Sequence, residues 1–253
     1  MTCTTAQFNR LDRGYNRDMV LIPGWATDVR IFEPLFADAA STSSAVVSEK
    51  AGIHLPVLPY NIILPTGIVP ETFADDLHHW LSARNLQNVS LLGWSMGGFL
   101  AAELAGKFPS QVHELFLLSV RQTFDPQSLD DIRQLLEKDR RAYLYGFYLQ
   151  CFRHCSREII AQFKRTLLKP YLECMTLPEL LRGLDYLART KIDTTRLSAI
   201  PAIHFLHGLL DEITPVTEAQ NLASAISGAS FHCYPNLGHL IFYDSAFREG
   251  FNE

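Results

Sequence analysis

The chain has 253 residues, 47% of them apolar, which is enough to bury a sizeable core and fits one α/β body. A formal net charge of −5 argues against a general nucleic-acid binder, so charge has to be read region by region. Five cysteines, an odd number with no close C-x-x-C pair, suggest neither a disulfide framework nor a zinc knuckle.

At the start of the chain no basic stretch leads into an apolar run, and Met19–Pro23 is far too short to span a bilayer. A cytoplasmic protein that does not enter a membrane is the expectation. Strand-like apolar runs follow at Met19–Pro23, Val89–Gly93, Glu114–Val120, Ala202–Gly208 and Ser230–Pro235. Helical stretches, including Gly97–Lys107 and Val216–Ser227, lie between several of them. Continuous apolar strands alternating with helices require a mostly parallel sheet covered on both faces, an α/β architecture. Residues 41–70, with four prolines and a Ser/Thr cluster, carry the weakest signal. From about Phe124 to Asp193 no strand-like run interrupts a series of helical segments. This reads as an inserted helical cap (124–193) in a core made of 1–123 and 194–253. Its first helix is expected to open at Ser128 as N-cap, with Asp130 and Asp131 in the first turn where acidic groups favour the helix dipole.

Gly93-Trp94-Ser95-Met96-Gly97 follows a strand and opens a helix, the context that turns the loose pattern G-x-S-x-G into a nucleophile elbow. A serine in so sharp a turn needs neighbours without a Cβ, so that strand and helix can approach while its hydroxyl stays exposed. A serine hydroxyl is a poor nucleophile near neutral pH. It needs a histidine base, and the histidine needs a carboxylate to fix its tautomer. In this architecture the chain order is Ser, then Asp or Glu, then His. Asp211 falls in the loop after strand Ala202–Gly208, and His239 in the loop after strand Ser230–Pro235. Both loops belong at the sheet edge where Ser95 emerges, the edge at which open α/β sheets gather their chemistry. Glu212 and Asp125 are the other candidate acids. His78, His79, His204 and His207 read as structural, because they sit within a helix or a strand. Acyl transfer also needs oxyanion donors. The backbone N–H groups of Met96, after the serine, and Trp25, in the loop after the first strand, fill that role.

With these parts in order, the chain resembles the α/β-hydrolase superfamily over nearly its whole length. More narrowly, PGWATDVRIFEPL, GWSMGGFLAAELAGKFPSQV, LHGLLDEITP and NLGHLIF are similar to the BioH-type methyl esterases of biotin synthesis, which act on pimeloyl-acyl carrier protein. The resemblance implies a triad of Ser95, Asp211 and His239, oxyanion donors Trp25 and Met96, and a four-helix-like cap over the pocket. It implies a carboxylesterase that hydrolyses a pimeloyl methyl ester through an acyl-enzyme, with no cofactor and no metal. Three features depart from the family pattern. Pro23-Gly24 stands where most relatives carry His-Gly, a glycine-rich D-x-x-G-x-G-x-S stretch is absent, and the chain stops soon after His239, so a last helix that is short or incomplete is expected.

Between Arg133 and Lys169 nine basic residues face three acidic ones, within a chain of net negative charge. A solvated helix face explains such a run. So does a docking face for an acidic acyl carrier protein, whose complementary field would speed encounter, with Arg133, Arg140, Arg141, Arg153 and Arg157 as contacts. The aromatics of Ala142–Phe152 either pack on the body or line an acyl channel. Cys151, His154 and Cys155 share a helical face but lack a fourth ligand for a metal. A monomer that binds neither nucleic acid nor membrane is expected. The rival readings are a general short-chain carboxylesterase, a carbon–carbon bond hydrolase or lyase of the same superfamily, and a receptor-like or scaffold homologue without chemistry.

Overall fold

A computed structural model describes residues 5–36, 58–244, 246 and 247. Seven strands form one sheet: β1 (Gln7–Leu11), β2 (Asp18–Ile22), β3 (Asn61–Thr66), β4 (Val89–Trp94), β5 (Val112–Leu118), β6 (Ala202–Gly208) and β7 (Ser230–Tyr234), in the order β1-β3-β2-β4-β5-β6-β7. Only β1 runs antiparallel, against β3, with Gln7 opposite Thr66; every other pairing is parallel. All six residues of β4 are buried, as are the last four of β2, β5 and β6. A strand apolar along its whole length has both faces covered.

The helices are α1 (Glu33–Phe36), α2 (Phe73–Ser82), α3 (Met96–Lys107), α4 (Pro126–Cys151), α5 (Arg157–Thr166), α6 (Leu168–Cys174), α7 (Leu177–Arg189) and α8 (Val216–Ser224). Helix α3 packs along β2, β4 and β5 with α2 beside it, and nine of its residues are buried. A helix apolar around most of its circumference belongs at the centre of a fold. Helix α8 packs on β6 and β7.

Four helices, α4 to α7, lie between β5 and β6 in the chain. Two hydrogen bonds seat them on the loop after β2: Tyr148 Oη donates to the Ala26 carbonyl at 2.6 Å, and Trp25 Nε1 donates to the Leu180 carbonyl at 2.9 Å. Helix α4 does not open at Ser128. Its N-cap is Asp125, whose carboxylate accepts from the Ser128 N–H (2.9 Å) and hydroxyl (2.8 Å), with Pro126 in the first turn. Proline there forfeits no helical hydrogen bond, so Asp-Pro is the stronger start signal. The helix is also broken at Asp139 (φ −155°, ψ 88°), whose side chain accepts from the Ala142 N–H at 2.9 Å and so caps the second half.

Strand β5 starts and stops two residues earlier than the apolar run suggests, because Ser119 (φ 50°) turns the chain into the left-handed region. Strands β1 and β3 escape the hydrophobic signal. The outer strand β1 is half exposed, and β3 lies in the proline-containing stretch where no boundary can be read. The remainder of that stretch up to residue 57 lies outside the described residues, and beyond His239 the described residues form a short 3-10 turn, Ile241–Tyr243.

Candidate active site

The loops after β2, β4, β6 and β7 leave the same edge of the sheet, since these strands are mutually parallel. Ser95 follows β4 directly, at φ 56° and ψ −122°, a backbone conformation that costs an L-residue energy and is maintained by its surroundings. The surroundings are close-packed backbone. A Cβ on Gly93 would collide with the Gly97 carbonyl, and one on Gly97 would collide with the Ile22 carbonyl. The Ser95 N–H donates to the Leu118 carbonyl (2.9 Å) and the Ser95 carbonyl accepts from the Gly98 N–H (2.9 Å), which pins the turn from both sides.

Asp211 and His239 meet: His239 Nδ1 lies 2.8 Å from Asp211 Oδ2, with Asp211 8% and His239 2% exposed. Burial alone would raise the Asp211 carboxyl, but neighbouring His239, with help from His207 and Thr214, brings it down to about 2. The carboxylate is therefore ionised at neutral pH and only accepts, so the imidazole proton sits on Nδ1 and donates to it. In the neutral ring, Nε2 is left as a lone pair; it is buried and makes no hydrogen bond among the described residues. The other carboxylate oxygen, Oδ1, accepts from the backbone N–H groups of Ile213 (2.8 Å) and Thr214 (3.0 Å). The Thr214 hydroxyl donates to Oδ2 at 2.6 Å.

Trp94, the residue before Ser95, ties the two ends of the site together. Its Nε1 donates to the His239 carbonyl at 2.9 Å, and its ring centroid lies 5.2 Å from the imidazole. His239 is thus held beside the serine turn, although the hydrogen bond from the Ser95 hydroxyl to Nε2 is not made in this structure. Trp25 and Met96 both line a cavity of about 230 Å³, together with Pro23, Gly24 and Gly183. Met96 is the first residue of α3, where helical N–H groups have no carbonyl one turn back.

The other candidate acids point elsewhere. Asp125 caps α4, and exposed Glu212 pairs with Arg153. His78 faces Gln111 and stacks on Phe108, and His204 faces Ser230. His207 is a buried strand histidine that packs in the acid's surroundings. It is fully buried, its Nε2 donates to the Thr214 carbonyl at 2.8 Å, and the same nitrogen lies 3.4 Å from Asp211 Oδ2. Burial lowers its pKa, against the pull of Asp211, which keeps the ring neutral. Thr214 and the indole of Trp94 are the participants that sequence reasoning passes over. A Thr three residues after the acid is a weak signal of an Asp-centred turn, and nothing local announces the Trp94 contact across the sheet.

Among the five candidate docking arginines, three have partners within the chain: Arg133 with Asp185, Arg140 with the Met175 carbonyl, and Arg153 with Glu212. Arg141 and Arg157 are exposed. The thiols of Cys151 and Cys155 are pushed up by burial, Cys155 to about 12, and no cluster of three metal-ligating side chains forms among the described residues. No helix among them is long and apolar enough to cross a membrane.

The family model of the α/β hydrolase fold matches residues 19–246, and the chain belongs to that family. Over 246 residues it is 24% identical to the AB hydrolase superfamily protein YisY of Bacillus subtilis, covering 92% of this chain and 88% of the relative. It is 22% identical over 244 residues to the pimeloyl-[acyl-carrier protein] methyl ester esterase of Nitrosomonas europaea, covering 90% and 91%. Among solved structures, an esterase from Exiguobacterium antarcticum superposes with a TM-score of 0.75 at 20% identity, over 97% of this chain and 92% of that one.

Proposed function

We propose that the protein is a serine carboxylesterase, with Ser95 as nucleophile, His239 as base and Asp211 as the acid that orients it. The observation that carries this reading is the buried Asp211–His239 hydrogen bond, held by Trp94 next to the strained serine. In the reaction the Ser95 hydroxyl gives its proton to His239 Nε2 and attacks the ester carbonyl. The backbone N–H groups of Trp25 and Met96 take the developing oxyanion. The alcohol leaves with the proton from Nε2, and water, deprotonated by the same nitrogen, releases the acid from Ser95. Asp211 stays ionised throughout and steadies the imidazolium.

For the substrate we propose the methyl ester of a pimeloyl chain on acyl carrier protein, with the helical segment 124–193 as the cap on which the carrier docks. Similarity to the Nitrosomonas europaea esterase supports it, as do exposed Arg141 and Arg157, which are open to an acidic partner. Ser95→Ala is expected to fold, and to lose at least about a thousandfold in kcat/KM and all labelling by a fluorophosphonate probe. Retained turnover would refute the nucleophile. Comparing a carrier-bound methyl ester with a free short ester tests the substrate. A steep salt penalty on the carrier-bound ester alone supports docking, and equal salt dependence favours a general short-chain esterase.

A further inference from the structure

The cavity beside the oxyanion loop is also lined by the loop after β3 and by α7, and it holds three charged side chains: Asp28, Glu179 and Arg182. The two carboxylates are already engaged. Asp28 forms a two-pronged pair with Arg30, whose Nε lies 2.9 Å from Oδ1 and Nη2 2.6 Å from Oδ2. Glu179 closes the capping box of α7, accepting from the Thr176 hydroxyl at 2.6 Å and from its N–H at 3.2 Å. Asp185, one turn beyond Arg182 on the same helix, is taken by Arg133. Arg182 thus has a carboxylate one turn away on either side, Glu179 and Asp185, each already held by another partner, and it forms no ion pair among the described residues. Its neighbours Leu180 and Gly183 are buried against the site, and the Leu180 carbonyl accepts from the Trp25 indole, so α7 sets this arginine in register with the oxyanion loop.

We infer that Arg182 and the cavity form a subsite for an anionic group of the substrate, a carboxylate or a phosphate, carried on the part of the molecule that does not react. A planar guanidinium with no ion pair among the described residues presents paired donors to such a group. Asp28 is neutralised by Arg30 but Glu179 keeps its charge, so the anion is held by the directional donors of Arg182 rather than by a net positive field. The inference rests on the esterase reading for the word substrate, but binding at the subsite requires no chemistry.

The test is titration calorimetry with three amides that the enzyme does not turn over: uncharged glutaramide, glutaric acid monoamide with a carboxylate tail, and 3-phosphonopropanamide with a phosphonate tail. The expected result is about fivefold tighter binding of at least one anionic amide than of glutaramide, weakened by salt, with the stronger arm naming the group. Arg182→Gln should erase the preference and Arg182→Lys should retain part of it. No preference in the wild type, or an intact preference in Arg182→Gln, overturns the subsite. The wild type separates the two readings: an anion preference without turnover of any ester leaves the subsite standing and removes the esterase, and ester turnover without the preference does the reverse.

Discussion

The acid–base loops and the helical layer above them use polar groups in opposite ways. Around Asp211 and His239 the polar groups are buried and, apart from the reactive Nε2 and a few others, engaged: both carboxylate oxygens accept hydrogen bonds, and His239 is fixed by Nδ1 and by its carbonyl. In the helical layer the charges sit at the surface, as in Arg153 with Glu212 and Arg133 with Asp185, where both partners remain substantially exposed. A buried polar group left without its partner is costly, whereas an exposed ion pair contributes little. The difference teaches that geometry is fixed in the sheet-edge loops, while the helical layer is held on not by its charges but by packing and two buried hydrogen bonds, through Trp25, Tyr148 and the close contact of Gly183 with the Trp25 indole.

The sharpest way to break this comparison is at the acid. Asp211→Asn removes the charge and reverses the tautomer of His239, and kcat/KM is expected to fall by about ten-thousandfold, with an unchanged far-ultraviolet circular dichroism spectrum. Next comes the backbone packing under the serine. Gly97→Ala sets a Cβ against the Ile22 carbonyl, which is main chain and has little room to move, so a loss of about 3 kcal/mol is expected in urea unfolding. Thr214→Val deletes the hydroxyl that reaches Oδ2 but keeps the shape of the residue. It should lower kcat/KM about tenfold, with the acid limb of the pH–rate profile displaced as the carboxylate loses a donor. At the small end, Arg153→Ala on the helical layer should leave the thermal midpoint without a resolvable change. A large effect there would show that the surface pair, rather than packing, positions the layer.

Sequence alone reveals the sheet's buried interior more readily than its periphery. Strands β2, β4, β5, β6 and β7 announce themselves as apolar runs, whereas β1 is half exposed and β3 carries Pro65. The positions of Ser95, Asp211 and His239 relative to the strand ends are readable because each loop is short and follows a recognisable strand. What is not readable is contact at a distance. The Trp94–His239 bond, the approach of His207 to Asp211 and the engagement of the α4 arginines all depend on which side chains a parallel sheet and a helical layer bring together. The Asp139 break in α4 was hidden for a different reason. No proline or glycine marks it, and an aspartate inside a polar helical run looks the same whether it caps or continues.

The indole of Trp94 reaches the carbonyl of a residue 145 positions further along the chain. Closing so long a loop carries an entropic cost, so this bond is expected to form late, once the sheet has grown outward to β7. During refolding from denaturant, the emission of this tryptophan will therefore settle late, and regained turnover will follow it rather than the earlier gain of helical signal.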